Sequence, residues 1–302
     1  MNNLLTIPPL SLYIHYPWCL KKCPYCDFNS HEGEVKTGYI NALIEDLEGD
    51  LKYVQNRAIE SIFIGGGTPS LMSTEDANDL IDGLKERLNF SDNVEITMEA
   101  NPGAFGVEKF AEFRNIGINR LSIGVQSFED RQLKFLGRVH SSNEAINAIT
   151  EAQRVGFKNL NIDLMYGLNG QSIDMCIEDL NKAIELNPSH ISFYQLTLEP
   201  NTLFSKFPPR LPSEEVIWEM GEKGANLLNK KGFRQYEVSA YSTTPSIHNL
   251  NYWTFGDYIG IGAGAHGKIT DMNTHQIFRT LKLKSPNEYL LSFKKNKKTS
   301  RK

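Results

Sequence analysis

The segment IHYPWCLKKCPYCDF, Ile14 to Phe28, decides the fold of this chain. It continues an apolar, β-branched run and is therefore predicted to form the loop after a first strand. Three of the four cysteines of the chain, Cys19, Cys23 and Cys26, lie in this segment. Such crowding is typical of a metal site, whereas disulfide frameworks spread their cysteines along a secreted chain.

Three thiolates on one loop can hold a 4Fe-4S cluster, while ferredoxin loops supply four cysteines. One iron is then left open to a small molecule that binds through amino and carboxylate groups and accepts an electron. Two alternatives remain open on the residues alone. One is a zinc site completed by His15 or His31, and the other is a set of buried or redox cysteines without a metal. Cys176 stands alone in the helical pattern SIDMCIEDL and is interpreted as a core residue.

Short apolar runs alternate with amphipathic stretches such as YINALIEDLEGDL, which predicts parallel βα units in an α/β fold. A closed barrel of this type has eight units, so a smaller number favours an open, partial, TIM-like (β/α)6 barrel. Active sites of such barrels lie at the carboxyl ends of the strands, where the cysteine loop is expected. The six predicted strands are SLYIHY from Ser11, SIFIGG from Ser61, VEITME from Val94, RLSIGVQ from Arg120, LNIDLM from Leu160 and HISFYQL from His190.

The pattern changes after Pro200, where FPPRLPSEE introduces three prolines. We place a boundary near residue 208, so that residues 1–207 form the βα core with the cysteine loop. Residues 208–293 form a C-terminal extension that begins with a helix from about residue 213 to 231. Residues 294–302 are lysine-rich and are predicted to be a disordered, solvated tail.

The bulk composition limits the partners of the chain. It has 302 residues with 32 Lys and Arg against 36 Asp and Glu, a formal charge of -4, so no global basic field attracts nucleic acid or anionic lipid. The first residues lack the pattern of a signal peptide, and no window approaches the roughly 18 apolar residues of a membrane span. We therefore predict a cytoplasmic protein with no membrane span and no nucleic-acid partner.

The spacing C-x3-C-x2-C after a first strand, with Tyr25 before the last cysteine, resembles the signature of the radical S-adenosylmethionine (SAM) superfamily. The chain is similar in particular to the HemN/HemW subfamily, the oxygen-independent coproporphyrinogen III oxidases and their haem-chaperone relatives. Where that family has GLPGQ, this chain has Asn169 in place of the proline. The similar segments, between Leu12 and His275, are YIHYPWC, GGGTP, TMEANP, RLSIGVQS, LGRVH, NIDLMYGLNGQ, QLTLEPNT, HNLNYW and DYIGIGAGAHG.

The resemblance implies a 4Fe-4S cluster on the three loop cysteines and a SAM molecule on the open iron. A carboxylate at Glu99 could accept hydrogen bonds from a ribose or an ammonium group, or could instead cap the next helix. The resemblance further implies that the ring of Tyr13 packs beside the sulfonium group of SAM. Gln126, Arg138 and Asp163 correspond to residues that contact a second SAM in the oxidase, or else make structural hydrogen bonds. The implied SAM residues are Tyr13, Tyr25, Gly66, Gly67, Thr68, Glu99, Gln126, Arg138 and Asp163.

The segment HNLNYW, His248 to Trp253, resembles a haem-associated motif of the subfamily. A neutral imidazole is a suitable axial ligand of haem iron, and Tyr252 and Trp253 offer flat apolar faces to a macrocycle. Without the resemblance, His248 reads as a capping or core histidine. His266, among glycines, is assigned a structural role.

Two functions compete, a haem chaperone that passes haem to an acceptor protein and a coproporphyrinogen III oxidase that cleaves SAM. The oxidase has a further cysteine where this chain has Phe28, and it has a long extension before the position of Cys19. These differences, together with HNLNYW, favour the chaperone. A radical SAM methyltransferase or other modifying enzyme is a third reading, which HNLNYW disfavours.

The resemblance also implies a haem-acceptor protein and a possible homodimer. Relatives usually continue into a small C-terminal domain, whereas this chain ends soon after SPNEYLLSF. We therefore expect an extension that is apparently truncated. Its consequences would be an exposed haem site, the loss of dimerisation or an inactive protein.

Overall fold

The computed structural model describes residues 6–103 and 108–299. Its strands are β1 (Leu10–Tyr16), β2 (Trp18–Cys19), β3 (His31–Glu32), β4 (Ile59–Gly66), β5 (Phe90–Ala100), β6 (Arg120–Gln126), β7 (Asn159–Tyr166), β8 (His190–Gln195), β9 (Arg234–Gln235), β10 (Ala240–Ser242), β11 (Asp257–Ile261), β12 (His266–Asp271) and β13 (Gln276–Leu281). Its α-helices are α1 (Tyr39–Asp50), α2 (Thr74–Lys85), α3 (Glu108–Ile116), α4 (Asp130–Phe135), α5 (Ser142–Arg154), α6 (Ile173–Glu185), α7 (Leu203–Lys206), α8 (Glu214–Lys230), α9 (Ile247–Trp253) and α10 (Pro286–Thr299).

The six predicted strands are neighbours in one sheet, in chain order, as β1, β4, β5, β6, β7 and β8, and each pair is parallel. Helices connect them, as expected for parallel strands that need long crossovers. The α/β, partial-barrel prediction is confirmed. Every strand of this series therefore delivers its carboxyl end to the same side of the sheet.

The sequence reading missed a seventh parallel strand. β11 pairs with β1, from Leu10 opposite Asp257 to Ile14 opposite Ile261, although the two strands lie far apart in the chain. β12 and β13 continue from β11 as antiparallel neighbours, and β10 pairs antiparallel with β8 at the other side. The boundary near residue 208 stays a prediction, and the strands after it extend the sheet of the βα core at both edges.

Side-chain alternation separates an apolar outer layer from a polar interior. On β6 the residues Leu121, Ile123 and Val125 are fully buried in the hydrophobic core against the helices. Each such side chain stabilises the fold by about 1.5–3 kcal/mol when it is fully buried. The intervening residues, which begin with Arg120 and Ser122, face the interior and line a cavity. The barrel thus carries polar groups in its interior.

Helix ends follow local chemistry that the sequence contains. α5 begins at a capping box in which Ser141 and Glu144 bond to each other's backbone amides. After α5 the chain turns at Gly156 with φ 96°, and after α6 it turns at Asn187 with φ 52°. Both helices end at these residues because glycine and asparagine tolerate left-handed backbone. Cys176 on α6 is 1% exposed and lies in the core, as predicted.

The C-terminal segment is fastened to α1 by ion pairs just before α10 and by a hydrogen bond from α10. The ammonium group of Lys282 lies 2.6 Å from a carboxylate oxygen of both Asp46 and Asp50, and Tyr289 donates to Asp46 at 2.7 Å. α10 runs to Thr299, so residues 294–299, which the sequence predicts to be disordered, are helical, and 300–302 lie outside the described residues. Among the described helices, none has the length and apolarity that a bilayer crossing requires.

Candidate functional site

The cysteine loop is held in shape at its base. β2 and β3 pair within it, and the amide of His31 donates to Pro17 O at 2.7 Å. The ammonium group of Lys22 donates to Phe28 O at 2.9 Å and to Ser30 O at 3.2 Å from inside the loop. These bonds close the segment between the first and last cysteine into one compact loop at the carboxyl end of β1.

A second anchor ties this loop to the C-terminal part of the chain. The side-chain amide of Asn29 donates to Ala263 O and to Lys284 O, both at 2.9 Å. His15 also contributes, because its Nε2 lies 3.0 Å from Asn29 O and its Nδ1 lies 2.9 Å from Tyr13 Oη. The loop is therefore fixed by groups from both ends of the sequence.

Each thiol has a polar neighbour that can stabilise a negative sulfur. Thr68 Oγ1 donates to Cys19 Sγ at 3.4 Å, and an Nη1 hydrogen of Arg138 donates to Cys23 Sγ at 3.6 Å. Cys26 Sγ lies 3.6 Å from Ser30 Oγ. Burial nevertheless raises the pKa of Cys19 and of Cys26, so these thiols are protonated at neutral pH until a metal takes their protons.

The positions of the three thiols distinguish between a 4Fe-4S cluster and a zinc site, the two metal sites that the sequence allows. In the part of the chain that the structure describes, no three His, Cys, Asp or Glu side chains are arranged to hold a single metal ion. All three loop cysteines nonetheless line one cavity of about 470 Å³. In a cubane each thiolate binds a different iron, so the ligands stand apart around a shared space. The cysteines therefore fit a cluster better than a zinc ion.

The GGGTP turn packs against this loop. The amide of Gly67 donates to Tyr16 O and the amide of Thr68 donates to Trp18 O, both at 2.7 Å. A side chain on Gly67 would put its Cβ 2.5 Å from Trp18 O, and Gly66 has φ 112°. Glycine is required here by the close approach of two backbones. Because these amides already have protein partners, a ligand would meet the Thr68 side chain and the carbonyl groups of the turn.

Two half-buried carboxylates face the cavity from β5 and β7, the strands on either side of β6. Glu99 is the next-to-last residue of β5 and accepts from the amide of Gly66 at 3.0 Å. Burial, with Asp163 as a second cause, raises the pKa of Glu99 to about 7. Burial also raises the pKa of Asp163, which accepts from Asn161 at 2.7 Å and from Ser122 at 3.4 Å. A pair of this kind attracts a cationic ligand, which would restore the charged form of the carboxylates.

Two further predicted residues lie on the same wall. Gln126 has φ 72° at an irregular pairing of β6 with β7, and its Oε1 accepts from Tyr194 at 2.6 Å. Arg138 donates to Gly124 O at 2.6 Å, and its Nε hydrogen has no partner among the described residues. Tyr25 also lines the cavity, and its ring centroid lies 6.4 Å from that of Phe204. Eleven of the thirteen predicted residues thus line the cavity, and the two that do not are Tyr13 and His248.

Tyr13 lies behind the cavity wall. Its ring stacks on Phe63 at 6.3 Å between centroids, and Phe63 lines the cavity. His248 also packs against Phe63, with 5.1 Å between the ring centroids. Phe63 therefore separates the cavity from both residues, and neither Tyr13 nor His248 contacts the cavity directly.

His248 belongs to α9, which packs against β4 and β1. Its Nδ1 lies 2.9 Å from Ser61 Oγ, while its Nε2 has no hydrogen-bond partner among the described residues. The side chain is 1% exposed. Burial, followed by the charge of Arg120, lowers the pKa of His248 to about 3, so the imidazole is neutral at physiological pH.

The same short helix exposes a set of large apolar side chains. Tyr252 packs edge-on against His248 at 4.7 Å between centroids. The exposed fractions are 36% for Leu250, 38% for Tyr252, 57% for Trp253 and 58% for Phe255. α9 therefore combines a buried imidazole on one side with an apolar surface on the other.

Several residues of the interior were missed by the sequence reading. Arg120, Asn161 and Ser192 line the cavity, and the sequence analysis assigned none of them a role. Polar residues two apart, as in Arg120 and Ser122, carried the available signal, since alternate residues of a strand share a face. Glu95 is also buried, and its carboxylate accepts from Ser246 Oγ at 2.9 Å and from the amide of His248 at 3.2 Å.

Comparison with known proteins agrees with this geometry. The model of the radical SAM superfamily matches residues 13–183. A solved structure of the coproporphyrinogen III oxidase HemN from Escherichia coli superposes with a TM-score of 0.83 at 23% identity, over 97% of this chain and 71% of that one. The fold and the cysteine loop therefore define a protein of the radical SAM class, whose members hold a 4Fe-4S cluster and SAM.

Curated relatives place the chain more narrowly. The heme chaperone HemW of Escherichia coli (strain K12) is 51% identical over 95% of this chain and 77% of its own length. HemW of Haemophilus influenzae is 50% identical over 94% of this chain, and HemW of Bacillus subtilis is 38% identical over 87%. The chain belongs to the HemN/HemW subfamily of the radical SAM superfamily, together with these HemW proteins.

Proposed function

We propose that this protein is a haem chaperone, which binds haem at α9, holds a SAM-coordinated 4Fe-4S cluster and passes haem to an acceptor protein. The observation that carries the proposal is His248, a neutral imidazole whose Nε2 is unpaired within the described chain. Neutral imidazole nitrogen is a common haem ligand. The HemW name of relatives near half identity supports the same assignment.

The apolar surface of α9 supports a macrocycle beside this imidazole. Tyr252, Trp253 and Phe255 provide aromatic area on one short segment. His248 itself is almost fully buried, so ligation requires α9 or its neighbours to move. Haem binding should then be slower than diffusion and should change the emission of Trp253.

The cluster and SAM belong to the opposite end of the barrel. Cys19, Cys23 and Cys26 would hold the cluster, and Glu99 and Asp163 would face the positive groups of SAM. Thr68, Gly66, Gly67, Gln126, Arg138 and Tyr25 would complete the SAM site, with Tyr13 supporting it through Phe63. When bound, the cluster supplies an electron to SAM. The chain contributes binding, charge compensation and exclusion of water.

Coproporphyrinogen III oxidation is the less supported alternative. The position where the oxidase has a further cysteine is Phe28, which is 58% exposed at the cavity mouth. The structural likeness to HemN supports the fold alone at its level of identity. We further propose a cytoplasmic location, an acceptor protein that takes up haem, and a homodimer as the assembly to test.

The deciding experiment reconstitutes the cluster anaerobically and titrates haem into wild type, His248→Ala and His266→Ala while absorption is recorded. His266 is an exposed histidine on β12 and serves as the matched control. We expect His248→Ala to weaken haem binding about tenfold or more, and His266→Ala to bind as wild type. A parallel assay offers coproporphyrinogen III with SAM and a reductant. Robust decarboxylation, or equal haem affinity in all three proteins, would reject the chaperone assignment.

A further inference from the structure

The cavity continues inward from the cysteine loop to the amino ends of the strands. Gln126 ends β6 at the mouth, and Arg120 begins the same strand. Six residues at about 3.3 Å each separate their backbones by roughly 20 Å. Both residues line the cavity, as does Asn249 on α9. The inner end is therefore distinct from the mouth of the cavity at Gln126, and the Glu99 position, opposite Ser122, lies between them.

Arg120 is the dominant charge of this inner end. Its side chain is 2% exposed. Within the described residues its guanidinium makes a single hydrogen bond, from Nη1 to Thr97 Oγ1 at 3.4 Å, and its Nε hydrogen has no partner. A guanidinium carries five donors. Burying such a cation with most of its donors unused is costly, and natural interiors normally supply an anion.

The nearest carboxylate does not fill this role. Glu95 lies 4.0 Å from the Nε of Arg120, beyond hydrogen-bond distance. Its two oxygens accept instead from Ser246 Oγ and from the amides of Ile247 and His248 at the start of α9. The Glu95 carboxylate therefore stabilises the start of α9. The Arg120 guanidinium keeps N–H donors that are free to bind a ligand in the cavity.

We propose that the inner end of the cavity is a carboxylate-binding site, with Arg120 as the principal binding group and the Asn249 amide as a second donor. Guanidinium groups bind carboxylates through two parallel hydrogen bonds, which matches the unused donors. Asn249 lines the cavity and makes one long bond through Nδ2, to Tyr236 Oη at 3.3 Å. A ligand held here contacts α9 directly through Asn249, next to His248.

Two sources can supply this carboxylate. One is a propionate side chain of haem, which would reach Arg120 from α9. The other is a small free organic acid that enters through the cavity. The first source rests on the proposed function, whereas the second does not.

The primary test titrates sodium propionate, without haem, into the full chain carrying its reconstituted cluster, with calorimetry as the readout. We expect saturable binding by wild type and a loss of about tenfold or more in Arg120→Gln. Arg120→Lys keeps the charge without the planar fork and should lie between the two. Asn249→Ala should bind severalfold more weakly. Arg154→Gln removes an exposed guanidinium on α5, outside the cavity, and is the matched control expected to bind as wild type.

Cluster content and far-ultraviolet circular dichroism establish that each variant is folded. If Arg120→Gln does not fold, Arg120→Lys and Asn249→Ala decide the outcome. Propionate affinity that is the same in wild type and in every folded variant would overturn the site. Because this arm contains no haem, its failure leaves the chaperone assignment untouched.

A second arm identifies the source by comparing haem with its dimethyl ester, in which both propionates are blocked. If haem supplies the carboxylate, the ester binds wild type more weakly than haem does, and Arg120→Gln removes that difference. If haem and ester bind wild type alike while propionate binds through Arg120, the natural ligand is a small free acid. Both results support the site and assign its occupant.

Discussion

The two ends of the barrel differ in how accessible their candidate ligand-binding groups are. At the carboxyl end, the cysteine loop is tied by backbone bonds, and the thiols and Glu99 open onto a shared cavity. At the amino end, α9 closes the barrel, and His248 is sealed behind Phe63 with one nitrogen unpaired within the described chain. The first end is built for immediate ligand access, whereas the second must move before His248 can bind anything. Variants that disturb one end should therefore leave the other intact.

The largest expected effect is at the cysteine loop. Cys23→Ser should abolish assembly of the 4Fe-4S cluster, because a hydroxyl is a poor substitute for thiolate on iron. Haem affinity should stay within about threefold of wild type, since distant sites contribute independently. Iron and sulfide content and haem titration measure the two effects. Cys176→Ser, in the core and away from the cavity, is the control and should retain the cluster. A parallel collapse of haem affinity in Cys23→Ser would show that the ends are not independent.

The next effect concerns charge in the cavity. Glu99→Gln removes a carboxylate from the SAM site and should weaken SAM binding about tenfold. The pKa of Glu99 is about 7 in the ligand-free protein, so wild-type affinity should rise as the pH passes upward through 7. The variant should lack this rise. Equilibrium dialysis of labelled SAM between pH 6 and pH 8 tests it, and identical pH profiles would remove Glu99 from the site.

The same residue predicts a change in stability. Because folding raises the pKa of Glu99 from 4.5 to about 7, the folded state holds a proton that the unfolded state releases. The ligand-free protein therefore loses stability as the pH rises between these values. Glu99→Gln should raise the Tm at pH 8 and give no gain at pH 4. Thermal unfolding monitored at both values provides the measurement, and a variant with a lower Tm at pH 8 would contradict the burial argument.

A smaller effect is expected at the sealed end. Ser61→Ala removes the hydroxyl beside His248 Nδ1 and leaves that nitrogen without its neighbour. The loss should cost about 1–2 kcal/mol in the free energy of unfolding. Haem affinity should fall severalfold, less than in His248→Ala, because the imidazole remains but its tautomer is no longer fixed. Denaturant unfolding and haem titration give both values, and cluster content should not change.

The smallest effect is predicted for Phe28→Cys. This change introduces a thiol two residues after the third cysteine, on a side chain that is 58% exposed. Three thiolates already supply the cluster, so iron content and coproporphyrinogen III decarboxylation should both stay at wild-type values. Gain of decarboxylation would show that this position alone separates the two activities of the subfamily.

The sequence predicted the strands and the cysteine loop because both depend on local patterns. Apolar runs of six or seven residues and three closely spaced thiols are visible in any short window. β11 was not predicted as a parallel strand, because its partner β1 lies at the other end of the chain. Pairing between such distant segments leaves no local trace.

The residues at the carboxyl end of the barrel were easier to predict from the sequence than those at the amino end. The loop cysteines and Glu99 lie at the carboxyl ends of strands, where barrel sites gather, and the structure brings them to one cavity with Asp163 from within β7. The role of Arg120 could not be predicted, since a charged residue beginning a strand usually faces solvent. Only packing reveals that it is buried with unused donors. The burial of His248 likewise depends on α9 docking against β4 and β1.

The anchoring of Asn29 has a consequence for the order of events during synthesis. Its side chain donates hydrogen bonds to the carbonyl groups of Ala263 and Lys284. In addition, β1 pairs with β11, so one edge of β1 stays unpaired until β11 has been synthesised. Contacts between such distant segments form only after both segments have been synthesised. The cysteine loop is therefore unsupported until residues 257–284 have left the ribosome. We expect iron and sulfur to be inserted only after that point of synthesis.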